Sequence, residues 1–182
     1  TALLRQAKAE PAAFTQLAAP SAPSAQSPGS GSEPGPVISG VTPILTWTAV
    51  SGATSYAVAI SKYPYGSGNI VYNPQQVTGA SVTVPSGTLA LGEKYRWNLQ
   101  AIGAGGTSAV SNTLYFQTEA LTYTLTVSCG GSGTVSPQGC GTTPSYAQGT
   151  PVSLTASPAS GYTFAGWSGA CTGTGACPHT LS

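Results

Sequence analysis

Between Leu89 and Ser111 the chain reads LALGEKYRWNLQAIGAGGTSAVS, and one alternation within it limits what the whole can become. Tyr95, Trp97, Leu99 and Ala101 fall at every second position, with Arg96, Asn98 and Gln100 between them. Apolar side chains at that spacing share one face of a β-strand, so this is a half-buried strand. Leu89 and Leu91 lead into it through a turn at Gly92. Gly103 to Gly106 read as a hairpin loop closing onto Leu114 to Thr118, their glycines permitting the turn.

The rest of the chain has the same character. Leu45 and Trp47 share one strand face, Tyr56, Val58 and Ile60 another, and Val82 and Val84 a third, with turn residues between them. Short strands at this spacing indicate an antiparallel sandwich. With 24 Gly and 15 Pro in 182 residues, composition favours small β domains punctuated by turns over one large core. Only 5% of the chain is charged and its net charge is +1, so nothing supplies the field that captures nucleic acid or an anionic membrane. No run approaches the about 20 apolar residues of a membrane span, so no transmembrane segment is expected. The first residues lack the basic-then-apolar order of a signal peptide, so the numbering is expected to begin at a processed or cut end.

Residues 1 to 36 divide into two stretches. In TALLRQAKAEPAAF, Leu3, Leu4 and Ala7 suit two helical turns ended by Pro11. Residues 19 to 36, APSAPSAQSPGSGSEPGP, read as a Pro/Ser/Gly-rich linker with too little apolar surface to fold.

All four cysteines, Cys129, Cys140, Cys171 and Cys177, lie in the last third. Two short loops, 129 to 140 and 171 to 177, give the natural pairing among the three connectivities that four cysteines allow. A zinc site of four thiolates is disfavoured because no C-x2-C pair is present. Disulfides imply an oxidising compartment and hence export.

Chemistry finds few residues to use. The chain has no Asp, and of its four Glu, Glu10 and Glu33 lie in the tail and linker. Glu93 and Glu119 remain, placed by a sandwich topology at one pole, where a solvated or interdomain role outweighs catalysis. His179 is the single histidine, which removes any two-histidine metal site and leaves the serines without an activating base. No enzyme activity, metal or cofactor is expected. The candidate surface is Lys62-Tyr63-Pro64-Tyr65-Gly66 with Tyr72, richer in aromatics than solubility requires and suited to stacking on sugar rings or to a protein interface.

Two family resemblances sharpen this. The L-x-W of Leu45 and Trp47, then Leu89, Gly92, Tyr95, Trp97, Leu99 and Ala101, then Gly106 and Ser111, resemble a bacterial fibronectin type III domain over residues 37–119. The resemblance implies seven strands in two sheets, Trp47 and Trp97 in the core, and Tyr95 as a corner tyrosine whose hydroxyl bonds back near Leu89. Residues 120–182, through TVSP, the A-x-G-T-x-V-x-L-T-A-x-P of Ala147 to Pro158 and the G-Y-x-F-x-G-W-S-G of Gly161 to Gly169, resemble the divergent internalin-type B repeat of bacterial surface proteins. That likeness implies a core of Tyr162, Phe164 and Trp167 and a staple between Cys171 and Cys177. Members end on a further strand, which this chain is expected to lack after His179. The expected product is an all-β, secreted bacterial accessory module for spacing, display or weak attachment to a cell-surface polysaccharide. Two alternatives stand beside it: a filament subunit that binds neighbouring copies through its N-terminal arm, with Ala12, Phe14 and Gln16 on one face, or through an open sheet edge; and a fragment of a larger secreted hydrolase.

Overall fold

A computed structural model describes residues 15–182; the expected helical turns around Leu3, Leu4 and Ala7, and Ala12 and Phe14 of the arm, lie outside them. The described chain is β-structure apart from one short 3-10 turn, Ser67–Asn69. The described residues divide into two compact units, 15–89 with Lys94–Gln117, and Ala90–Glu93 with Thr118–Ser182. Among the described residues no helix is long and apolar enough to cross a membrane.

The first unit is an antiparallel β-sandwich of two sheets. Its strands are β1 (Ala25–Ser27), β2 (Val37–Ile38), β3 (Ile44–Trp47), β4 (Ala53–Lys62), β5 (Ile70–Tyr72), β6 (Ser81–Thr83), β7 (Lys94–Gly103), β8 (Gly106–Thr107) and β9 (Leu114–Thr118). One sheet runs β1-β3-β6; the other runs β2-β9-β7-β4-β5, with β8 added to β7. The strand anticipated from Tyr95 to Ala101 is β7, and its long antiparallel pairing with β4 sets Ile60 opposite Trp97, Val58 opposite Leu99 and Tyr56 opposite Ala101. Those six side chains point into a core that also holds Leu45, Val84, Tyr95 and Phe116. Trp47 and Tyr56 meet with ring centroids 5.2 Å apart, and Tyr95 stacks on Phe116 at 5.5 Å.

The segment from Ala25 to Pro36, read as linker, is part of this sandwich. β1 pairs with β3, Asn112 brackets Ala25 by accepting from its N–H at 2.8 Å and donating to its carbonyl at 3.1 Å, and Trp97 Nε1 donates to the Pro28 carbonyl at 2.8 Å. Ser30 and Tyr115 exchange backbone bonds of 3.0 and 2.8 Å, and Gln117 Nε2 donates to the Gly35 carbonyl at 2.9 Å. Such a stretch folds without an apolar pattern because main-chain hydrogen bonds hold it. Gly35, at φ +75°, lies so close to β9 that a Cβ there would fall onto the Tyr115 carbonyl.

The loop after β7 also differs from expectation. β8 pairs back on β7 before the chain reaches β9. Between them, Ser108 and Ser111 accept from the N–H groups of Ala101 and Leu99 at 2.9 and 3.1 Å, so two hydroxyls stand in for strand carbonyls. Gly105 does more than permit a turn, since a Cβ on it would collide with the Ala18 carbonyl.

The second unit contains β10 (Thr122–Thr124), β11 (Gly133–Ser136), β12 (Ser145–Ala147), β13 (Pro151–Pro158) and β14 (Cys177–Thr180). β10 pairs with β12, and a three-stranded sheet runs β11-β13-β14. Disulfides join Cys129 to Cys140 and Cys171 to Cys177. Two expectations are corrected here. The open edge expected here is filled by β14, with Cys177 opposite Leu154 and His179 opposite Val152, so β13 is paired on both sides. Its pattern was in the sequence: Cys177 and Leu181 are buried and His179 half-buried, an alternation hidden by its brevity and by Pro178. The core is also not the aromatic trio. It consists of Val127, Val135, Val152, Leu154 and Cys177, with Trp167 packed against it, while Phe164 is half-buried and Tyr162 is 56% exposed.

Candidate functional site

The aromatic surface grows from the end of β4. Tyr63 N–H donates to the Lys94 carbonyl at 2.9 Å, Tyr65 N–H to the Lys62 carbonyl at 2.7 Å, Ser61 Oγ to the Gly66 carbonyl at 3.1 Å and Asn69 Nδ2 to the Tyr65 carbonyl at 3.0 Å. These bonds hold Tyr65 at φ +66°, a left-handed conformation uncommon for an aromatic residue. Strain of this kind persists only where the surroundings over-determine it.

The turn lays its rings against the outward face of β7. Tyr63 and Tyr65 meet edge to face at 5.4 Å, and Tyr65 meets Tyr115 of β9 at 5.7 Å. Lys94 Nζ stands 5.6 Å from the centre of the Tyr63 ring, and the Arg96 guanidinium 5.0 Å from that of Tyr65. Such distances bring a cation within reach of a ring's negative face. The Tyr65 hydroxyl donates to Glu33 Oε1 at 3.3 Å. Tyr63 is 54% exposed and forms the accessible end of the array.

Burial, and then the charge of Glu33 and its hydrogen bond, push the Tyr65 phenol up to about 12, against a smaller opposing pull from Arg96. A phenol whose pKa is raised on folding contributes stability that is fully present below about pH 10 and lost as the pH climbs through about 12. Ultraviolet difference titration of the wild type against Tyr65→Phe is expected to show the missing tyrosine ionising above the ordinary phenol range, near pH 12. Glu33→Gln is expected to lower its midpoint; a midpoint unmoved by that change would remove Glu33 from the account.

Of the three tyrosines singled out in the sequence, the fold brings two together. Tyr72 sits opposite Ile60 on β5, packs toward the core, and has its phenol raised by burial alone. Sequence reasoning missed Lys94, Arg96, Tyr115 and Glu33. The alternation of β7 already put Arg96 on the face opposite Trp97, and the same rule applied to β9 turns Tyr115 away from Leu114 and Phe116. No local signal marks Glu33.

The second unit has an open cavity of about 530 Å³, lined among others by Val127, Val135, Leu154, Phe164, Trp167 and His179. Trp167 Nε1 donates to the Gly175 carbonyl at 2.7 Å, which fixes one wall. Among the described residues no group of three His, Cys, Asp or Glu stands close enough to hold a metal ion.

Residues 123–182 match the family model of the divergent InlB B-repeat domain. Solved structures that match include an Fn3-like protein from Clostridium thermocellum, 28% identical, with 59% of this chain and 98% of that chain covered and a TM-score of 0.37. No curated protein matches the chain.

Proposed function

We propose that the chain is a non-catalytic, extracellular part of a bacterial surface or secreted protein, and that its first unit attaches weakly to polysaccharide through the ring face of Tyr63. One observation carries the reading. A large exposed ring is set against Tyr65 and Lys94 on a turn held by main-chain hydrogen bonds. A rigid ring with a polar tip suits the apolar face and hydroxyl edge of a sugar, and its order before binding limits the entropy lost on contact. The B-repeat match at 123–182 and the two disulfides support an oxidising, extracellular setting. The same attachment would serve as an appendage of a larger secreted hydrolase.

Tyr63→Ala is expected to weaken retention on insoluble peptidoglycan and on a neutral glucan gel by about tenfold, the equivalent of roughly 1.4 kcal/mol. Its stability in thermal unfolding should fall by no more than about 1.5 kcal/mol, because the ring is half exposed and loses only its edge contact with Tyr65 and the Lys94 cation. Retention equal to wild type on every matrix would sink the assignment.

A further inference from the structure

We infer that the preferred ligand of this face is an acidic polysaccharide, whose carboxylates meet Lys94 and Arg96 while a sugar ring rests on Tyr63. The inference depends on the attachment reading above and gives it a ligand class.

From residue 15 onward the sequence contains three lysines and arginines, Lys62, Lys94 and Arg96. All three stand at one end of the β4–β7 pair, where Ser61 is opposite Arg96 and Lys62 opposite Tyr95. Lys94 and Arg96 lie two residues apart on the outward face of one strand, about 7 Å from each other. Like charges so placed repel, and a chain with 5% charged residues has no general need to group them.

Among the described residues, the partners of these two cations are rings: Lys94 over Tyr63 and Arg96 over Tyr65. The carboxylate of Glu33 accepts from the Tyr65 hydroxyl. The cationic heads are therefore held in place while keeping donors for an incoming anion. A neutral sugar would use the ring and gain nothing from the charges. A carboxylated sugar would also make charge-assisted bonds, bidentate at the guanidinium.

The same outward row continues through Asn98 and Gln100, opposite Ala59 and Ala57, whose short side chains leave the strip low. From Lys94 to Gln100 it extends about 20 Å, enough for several sugar units of a linear polymer. Nucleic acid fits this face less well, because two or three cations neutralise too few phosphates for useful counterion release.

The test is depletion of the full chain by beads carrying polygalacturonate, dextran or oligo(dT), at low and high sodium chloride. Wild type is expected to prefer polygalacturonate and to lose it as salt rises. Lys94→Gln with Arg96→Gln should weaken that binding about tenfold or more, while Arg96→Lys retains much of it. Unchanged thermal unfolding would show that the double variant remains folded. If the double variant binds polygalacturonate like wild type while Tyr63→Ala does not, the acidic ligand is wrong and the ring platform stands. If neither change affects any matrix, the platform fails and the inference with it. Stronger capture by oligo(dT) than by polygalacturonate would overturn the inference in favour of nucleic acid.

Discussion

Reduction of the two disulfides is expected to unfold residues 118–182 while the sandwich stays folded. The core of that unit is Val127, Val135, Val152, Leu154 and Cys177, a small apolar set for its length. Units of this size are marginal without covalent help. Cys129 and Cys140 are 11 residues apart and Cys171 and Cys177 are 6 apart. On the chain-entropy account, closing loops this short restricts the unfolded chain by about 3 and 2 kcal/mol, comparable to the whole stability of a small unit. Cys177 also opens β14, so breaking its bond releases the strand covering one side of β13. No cysteine occurs before Cys129, and the sandwich has nothing to lose to a reductant. Thermal unfolding followed by fluorescence of Trp167, against a variant with Trp167 replaced, should show its transition vanish in dithiothreitol while that of the other tryptophans remains. A Trp167 transition that survives full reduction would mean that the five-residue core suffices.

Trp97→Ala should be the most damaging single change in the first unit, at about 3 to 5 kcal/mol. Its side chain is fully buried opposite Ile60, and its indole N–H ties Pro28, and so the strap from Ala25 to Pro36, to the middle of β7. Two losses are combined there, and Trp97→Phe separates them. It keeps most of the ring volume and leaves the Pro28 carbonyl without its donor, for about 1 kcal/mol. Urea midpoints measure both. A cost below about 1 kcal/mol for Trp97→Ala would show that the core closes around the gap and that the strap is held independently.

Period-two patterns were legible wherever one strand face is apolar and the other polar. Tyr95 to Ala101, Tyr56 to Ile60, and Leu45 with Trp47 all became core because burial on a single face leaves little freedom of register. The strap was not legible for the opposite reason: its Pro, Ser and Gly residues are held by backbone bonds that any side chains of the right size permit. The extent and pairing of β14 were not legible because four residues including a proline carry too short an alternation to stand out. The core role that the B-repeat likeness implies for Tyr162 fails because this unit buries valines and leaves that ring in solvent. In the candidate site, Tyr63 and Tyr65 were visible as a local cluster. Glu33, Arg96 and Tyr115 come from distant parts of the chain, and only the register of β4, β7 and β9 brings them to the same turn.

The placement of the cations on strands also determines how the chain meets digestive enzymes. Lys62, Lys94 and Arg96 all lie within strands of the β4–β7 ladder, so from residue 15 onward each peptide bond that a trypsin-like protease recognises belongs to or adjoins a hydrogen-bonded strand. Such enzymes need an extended, detached segment, and cleavage at these bonds must wait for the sandwich to open. Beyond Arg96 the sequence offers them no site at all, which leaves the loop-rich second unit invisible to that class of protease whether folded or not.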